Sequence, residues 1–141
     1  MKIFVSACLL GENCKYNGGN NYSDKVKKFV EGHEVVALCP EVLGGLSVPR
    51  PSAEMVDGIV KTKSGKSVDS EFRLGAQRAL DAVLQHKVEL AVLQSRSPSC
   101  GVNEIYDGTF SGNKIKGQGI FAKMLMEHGI KVLDVEDIEG R

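Results

Sequence analysis

The sequence has no tryptophan, only 6% aromatic residues and four prolines in 141 positions. It also has no charge imbalance, since eighteen Lys and Arg meet eighteen Asp and Glu. A neutral chain lacks the overall field of a non-specific nucleic-acid binder. No apolar run approaches the ~18 residues needed to span a bilayer. Four cysteines, at 8, 14, 39 and 100, are few and dispersed, and none form a Cys-x-x-Cys pair. That excludes a disulfide scaffold, a zinc ribbon and a thioredoxin-type motif. Val5-Ser6-Ala7-Cys8 imitates a lipoprotein cleavage box, but the seven residues before Cys8 include a charge and are too short for a signal core. The segment reads as mature structure of a cytoplasmic protein without a targeting segment.

What is present is ordinary globular material, 42% hydrophobic and 26% charged, of a length that suits one domain spanning residues 1–141. Short apolar runs at Ile3-Phe4-Val5, Val35-Val36-Ala37-Leu38, Leu90-Ala91-Val92-Leu93 and Ile130 to Val135 read as buried strands. Helical spacing lies between them. Ser23 caps a short helix carrying Val26, Phe29 and Val30. A longer helix begins at Ser70, with Phe72, Leu74, Ala76, Ala79, Leu80, Val83 and Leu84 expected on one side. Another runs from Gly119 to His128. Residues 44–58 read as irregular, followed by a small exposed hairpin turning at Ser64-Gly65. Strands alternating with helices predict an α/β fold: a single Rossmann-like three-layer domain around a mostly parallel sheet.

Cys8 follows the first strand, Cys39 the second, and Cys100 lies in the loop after the third. In a parallel sheet these are all carboxyl ends, the edge where open α/β sheets bind ligands. Three small buried hydrophobes are the bland alternative, because cysteine is often a core residue. Their position just past the strands favours convergence on a site. Cys14 sits mid-loop and is the least well placed of the four. A structural zinc site takes four ligands, and so usually does a [4Fe–4S] cluster. Three ligands on a cluster leave one iron open as a Lewis acid. Spacing alone leaves iron–sulfur and zinc both open.

These residues, with their neighbours, form a recognisable series: Ser6-Ala7-Cys8-Leu9-Leu10-Gly11, Cys14-Lys15-Tyr16-Asn17-Gly18, Cys39-Pro40-Glu41, Val48-Pro49-Arg50-Pro51, Ser95-Arg96-Ser97-Pro98-Ser99-Cys100-Gly101 and Tyr106-Asp107-Gly108-Thr109-Phe110. In this order they resemble the thiouracil desulfidase family over nearly the whole chain. Asn17 stands where that family usually has Asp. The resemblance implies a [4Fe–4S] cluster held by Cys8, Cys39 and Cys100, and removal of sulfur from a small thiolated pyrimidine without net redox chemistry. It implies Glu41 and Ser97 as catalytic residues, with Ser99 as substitute for Ser97 and a substrate contact. Glu41 would deprotonate the attacking water. Ser97 has a second reading as a loop cap before Pro98. Arg50, stiffened between prolines, either orients a substrate carbonyl or is an exposed surface arginine. Longer relatives carry an added carboxy-terminal domain that this sequence does not include, which favours a small pyrimidine over thiolated uridine in tRNA. A non-catalytic zinc- or cluster-binding accessory protein using all four cysteines is the reading from a different class. Gly117-Gln118-Gly119-Ile120-Phe121-Ala122 imitates a dinucleotide fingerprint, but it does not follow the first strand and reads as close packing at a helix start.

Overall fold

Each of the four apolar runs becomes a strand of one parallel sheet in the computed structural model, which describes residues 1–139. In chain order the elements are β1 (Lys2–Ser6), a 3₁₀ turn (Ala7–Leu10), α1 (Asp24–Phe29), β2 (Glu34–Leu38), α2 (Pro40–Leu43), β3 (Ala53–Val56) and β4 (Ile59–Thr62). They continue with α3 (Asp69–Gln85), β5 (Leu90–Leu93), β6 (Glu104–Tyr106), β7 (Lys114–Lys116), α4 (Ile120–Glu127), β8 (Lys131–Asp134) and α5 (Val135–Glu139). The sheet order is β2-β1-β5-β8. Ile3 pairs with both Val35 and Leu90, and Leu90 with Lys131, all in parallel register. The order reverses at β1 and β5, which makes their carboxyl ends a topological switch point.

Side chains of successive strand residues face opposite ways, and the core divides accordingly. Phe4, Ala91 and Leu93 pack with Phe72, Ala76, Ala79 and Phe121 of α3 and α4. Phe4 meets Phe121 edge-on, ring centroids 5.1 Å apart at 62°. Ile3, Val5 and Val92 belong to a second cluster with Val26, Val30, Val135 and Ile138. Ser23 caps α1 as expected, its Oγ accepting the Val26 N–H at 3.2 Å. Leu74 and Leu84 depart from expectation: they are exposed, at 45% and 47%, because the buried stripe of α3 is the narrower one through Phe72, Gly75, Ala76, Ala79, Leu80 and Val83. No helix among the described residues is long and apolar enough to cross a membrane.

Two hairpins complete the molecule, and here the sequence reading needs correction. Residues 44–58 are not irregular throughout, since β3 pairs antiparallel with β4, Val56 opposite Ile59. Asp57 and Gly58 turn the chain at φ 50° and 81°, the positive pair a tight two-residue hairpin needs, and Asp-Gly is its usual sequence signal. The expected turn at Ser64-Gly65 also exists, with the Gly65 N–H on Thr62 O at 2.9 Å, but it leads only to a single bridge between Lys61 and Ser67. The β6–β7 hairpin was not anticipated, its strands being three residues each.

The short α2 carries Glu41 and begins immediately after Cys39, so what fixes α2 fixes the site. It lies backbone-to-backbone against α3. A Cβ on Gly75 would stand 1.8 Å from Pro40 O, and one on Gly44 would stand 1.9 Å from Glu71 O. Arg78 Nη1 donates to Leu43 O at 2.7 Å and ties off the end of α2. Gly75→Ala must therefore push the helices apart. Overpacking a core costs about 1–3 kcal/mol, occasionally more, and backbone atoms cannot swing aside. A Tm drop of roughly 10 °C is expected; an unchanged melting curve would refute this crossing.

Candidate functional site

At the carboxyl edge of the sheet a cavity of about 600 Å³ is lined by all four cysteines, together with Glu41, Arg50 and Ser97. Each arrives by a local device. Cys8 sits in the 3₁₀ turn after β1. Cys39 is the N-cap of α2, with Pro40 in the first turn, where its preset φ suits a helix start. Cys100 lies in the loop after β5, its N–H bonded to Ser97 Oγ at 2.9 Å. Cys14 is the surprise. Although it comes from an irregular loop, it is 8% exposed and lies beside Cys39, whose Sγ is 3.9 Å from the Cys14 carbonyl oxygen. Sequence position made it look peripheral, yet the loop folds back across the mouth of the sheet.

All four thiols are free, and their environments differ. The hydrogen bond with Cys14 lowers Cys39 to about 7, aided by the Val42 N–H and Arg50 against burial and Glu41. The same partner lowers Cys8, helped by Asn21, whose Nδ2 lies 3.5 Å from Cys8 Sγ. Cys14 is pushed up, chiefly by its bonds with Cys39 and Cys8, so it keeps the proton the other two give up. Burial pushes Cys100 up; Ser6 Oγ, 3.3 Å from its sulfur, opposes this by donating a hydrogen bond. Thiolate is the form that binds metal.

Glu41 is held from both sides. Arg50 donates to Oε1 from Nε at 3.3 Å and from Nη2 at 3.1 Å. Ser97 Oγ lies 3.3 Å from Oε2. The Ser97 oxygen also accepts the N–H groups of Ser99 and Cys100, each at 2.9 Å. Its proton is therefore directed to Glu41. One hydroxyl thus both caps the Cys100 turn and orients the carboxylate, so the two readings of Ser97 coexist. Arg50 is not a surface residue. Its side chain is 6% exposed, and it also donates to Cys14 O at 3.0 Å and Ser47 O at 3.1 Å. Ser99 is not brought to the cavity lining. It is 1% exposed, with Oγ lacking a hydrogen-bond partner, because the turn that delivers Cys100 rotates its neighbour inward. At the helix start that imitates a dinucleotide fingerprint, the Gly119 N–H bonds Gly101 O at 2.9 Å, packing α4 against the Cys100 loop.

Nothing in the sequence marks Ser6 or Asn21, since neither a strand-end serine nor an asparagine-rich loop announces a sulfur partner, 94 positions away for Ser6 and 13 for Asn21. Among the described residues no group of three or more His, Cys, Asp or Glu converges to hold a single metal ion. A cluster asks for something else: its thiolates bind different irons, so its cysteines stand apart around a cavity. The sulfur donor set and the cavity fit that requirement.

Fold and site together define a parallel α/β protein with a cysteine-lined cavity at its switch point. A model of 2-thiouracil desulfurase matches residues 3–137. The uncharacterized protein YbbK of Bacillus subtilis (strain 168) is 38% identical over 146 aligned positions, covering 96% of this chain and 97% of the Bacillus protein. The solved structure of the [4Fe-4S]-dependent thiouracil desulfidase TudS is 40% identical and superposes with a TM-score of 0.91, over 99% of this chain and 93% of that one. The chain belongs to the 2-thiouracil desulfurase family.

Proposed function

We propose that this protein is a [4Fe–4S]-dependent desulfidase of thiouracil-type pyrimidines, hydrolysing the C–S bond to give uracil and hydrogen sulfide. The observation that carries this reading is the meeting of Cys8, Cys39 and Cys100 with Glu41 around one cavity, in a chain so similar to a cluster-dependent desulfidase. The balance is simple: thiouracil and water give uracil and hydrogen sulfide, with no net electron transfer. Cys8, Cys39 and Cys100 would hold the cluster. When bound, it supplies an iron open to the soft thiocarbonyl sulfur and so makes the adjoining carbon easier to attack.

The remaining work falls to the chain. Glu41 takes a proton from the attacking water at its carboxylate. Arg50 and Ser97 act through Glu41 as positioning residues, one on each oxygen, and their bonding supports that role over direct substrate contact. We read the whole chain as one Rossmann-like three-layer domain working in the cytoplasm. Core clusters involving both sets of strand side chains support the layered reading.

The test is anaerobic reconstitution followed by assay with 2-thiouracil. About four irons and four sulfides per chain, with uracil and hydrogen sulfide released in equal amounts, is the expected outcome. The presence of Cys14 in the cavity favours one other reading, an accessory protein holding zinc or a cluster with four thiols. Little iron, tight stoichiometric zinc and no turnover would establish that one instead.

A further inference from the structure

The segment Tyr106-Asp107-Gly108-Thr109-Phe110 has no part in the chemistry above, yet both of its aromatic residues line the same cavity as the cysteines. It begins in β6 and turns toward β7. Three residues, Glu54, Gly108 and Asp107, pin it. Glu54 of β3, 9% exposed, accepts the Gly108 N–H at 3.0 Å and the Phe110 N–H at 3.2 Å on one oxygen. Gly108, at φ 92°, passes so close to β3 that a Cβ would stand 2.5 Å from Met55 O. Asp107 Oδ1 accepts the Thr109 N–H at 2.9 Å, and the Asp107 N–H bonds Asn113 O at 3.0 Å.

These pins hold Phe110 at φ 56°, a region an L residue with a bulky side chain rarely enters. Glycine or asparagine would sit there with less strain. A strained residue persists only where its surroundings over-determine it, and such positions cluster at ligand sites. What phenylalanine adds is a flat apolar face, half-buried on the cavity wall. A flat heteroaromatic ring has a matching π-face, and stacking tolerates the loss of one exocyclic atom.

We infer that Phe110, fixed by Glu54 as a positioning residue, is the face on which the substrate's pyrimidine ring stacks. This deepens the desulfidase reading and rests on it. It assigns ring recognition to the β6–β7 hairpin, leaving the cysteine edge to deal with sulfur. Uracil, which keeps the ring and lacks the sulfur, should therefore compete at the same face.

The experiment compares Phe110→Leu, Phe110→Tyr, Glu54→Ala and Glu54→Gln with the wild type after anaerobic loading. Phe110→Leu should raise KM for 2-thiouracil and the inhibition constant for uracil together, by at least about fivefold, with kcat within about twofold and iron per chain unchanged. Phe110→Tyr should keep both constants. Glu54→Ala should reproduce the loss and Glu54→Gln, which retains an acceptor oxygen, should restore binding. Unchanged constants in Phe110→Leu, or a fall in kcat alone, would overturn the assignment. If the loaded wild type releases no hydrogen sulfide, the desulfidase reading fails instead. Equilibrium dialysis with uracil then decides the stacking face, since equal binding by wild type and Phe110→Leu would refute it.

Discussion

Replacing Glu41 by glutamine should lower kcat for 2-thiouracil by about 10²- to 10⁴-fold, the range a positioned general base contributes, with iron and sulfide per chain at wild-type values. The size of the effect follows from how completely the site is organised around this carboxylate. Arg50 reaches Oε1 through two nitrogens, and Ser97 faces Oε2. Glutamine keeps the shape and can still accept from Arg50, so α2 and Cys39 should stay in place. It cannot take a proton from water. It also turns an acceptor toward Ser97 into a donor, while the Ser97 oxygen already accepts from Ser99 and Cys100. A glutamine variant with undiminished turnover would remove Glu41 from the mechanism and shift attention to solvent or to another cavity group.

Serine at Cys8, Cys39 or Cys100 should strip the protein of most of its iron and abolish activity, whereas Cys14→Ser should load about four irons per chain. The distinction has a structural basis. Cys8 and Cys39 stand directly beyond β1 and β2, and the Cys100 turn is capped by Ser97, so these sulfurs are delivered by rigid elements. Cys14 belongs to the loop between the 3₁₀ turn and α1, and its bonding with Cys8 and Cys39 supports the thiolate form of both. Iron analysis and the visible absorption of the reconstituted variants are the measurements. Loss of the cluster in Cys14→Ser would make it a fourth ligand, leave no open iron, and turn the proposed function toward the accessory reading.

The sequence by itself determined the sheet and the three cysteines at its edge. Runs such as Leu90-Ala91-Val92-Leu93 are apolar on both sides, which only a strand covered on both faces satisfies. Strands of that kind, joined through helices, run parallel and put their carboxyl ends together. It follows that Cys8, Cys39 and Cys100 had to meet. The β3–β4 hairpin was also written locally, in Asp57-Gly58, and was missed because nearby prolines and glycines made the region look irregular.

Only the tertiary structure decided the rest. Cys14 approaches Cys8 and Cys39 because a long loop closes over the sheet edge, and loop paths are set by distant hydrogen bonds, such as Arg50 Nη2 to Cys14 O at 3.0 Å. Arg50 is buried against Glu41, whereas the sequence alone leaves it between a substrate contact and an exposed surface arginine. Ser99 and Ser97 differ by two positions and part ways on one turn, where a single hydroxyl accepts two N–H groups. Phe110 gained a place on the cavity wall from Glu54, fifty-six positions away. Periodicity reports what a residue needs from its immediate neighbours. Which side chains share a cavity depends on contacts between segments far apart in the chain, and those appear only when the chain has folded.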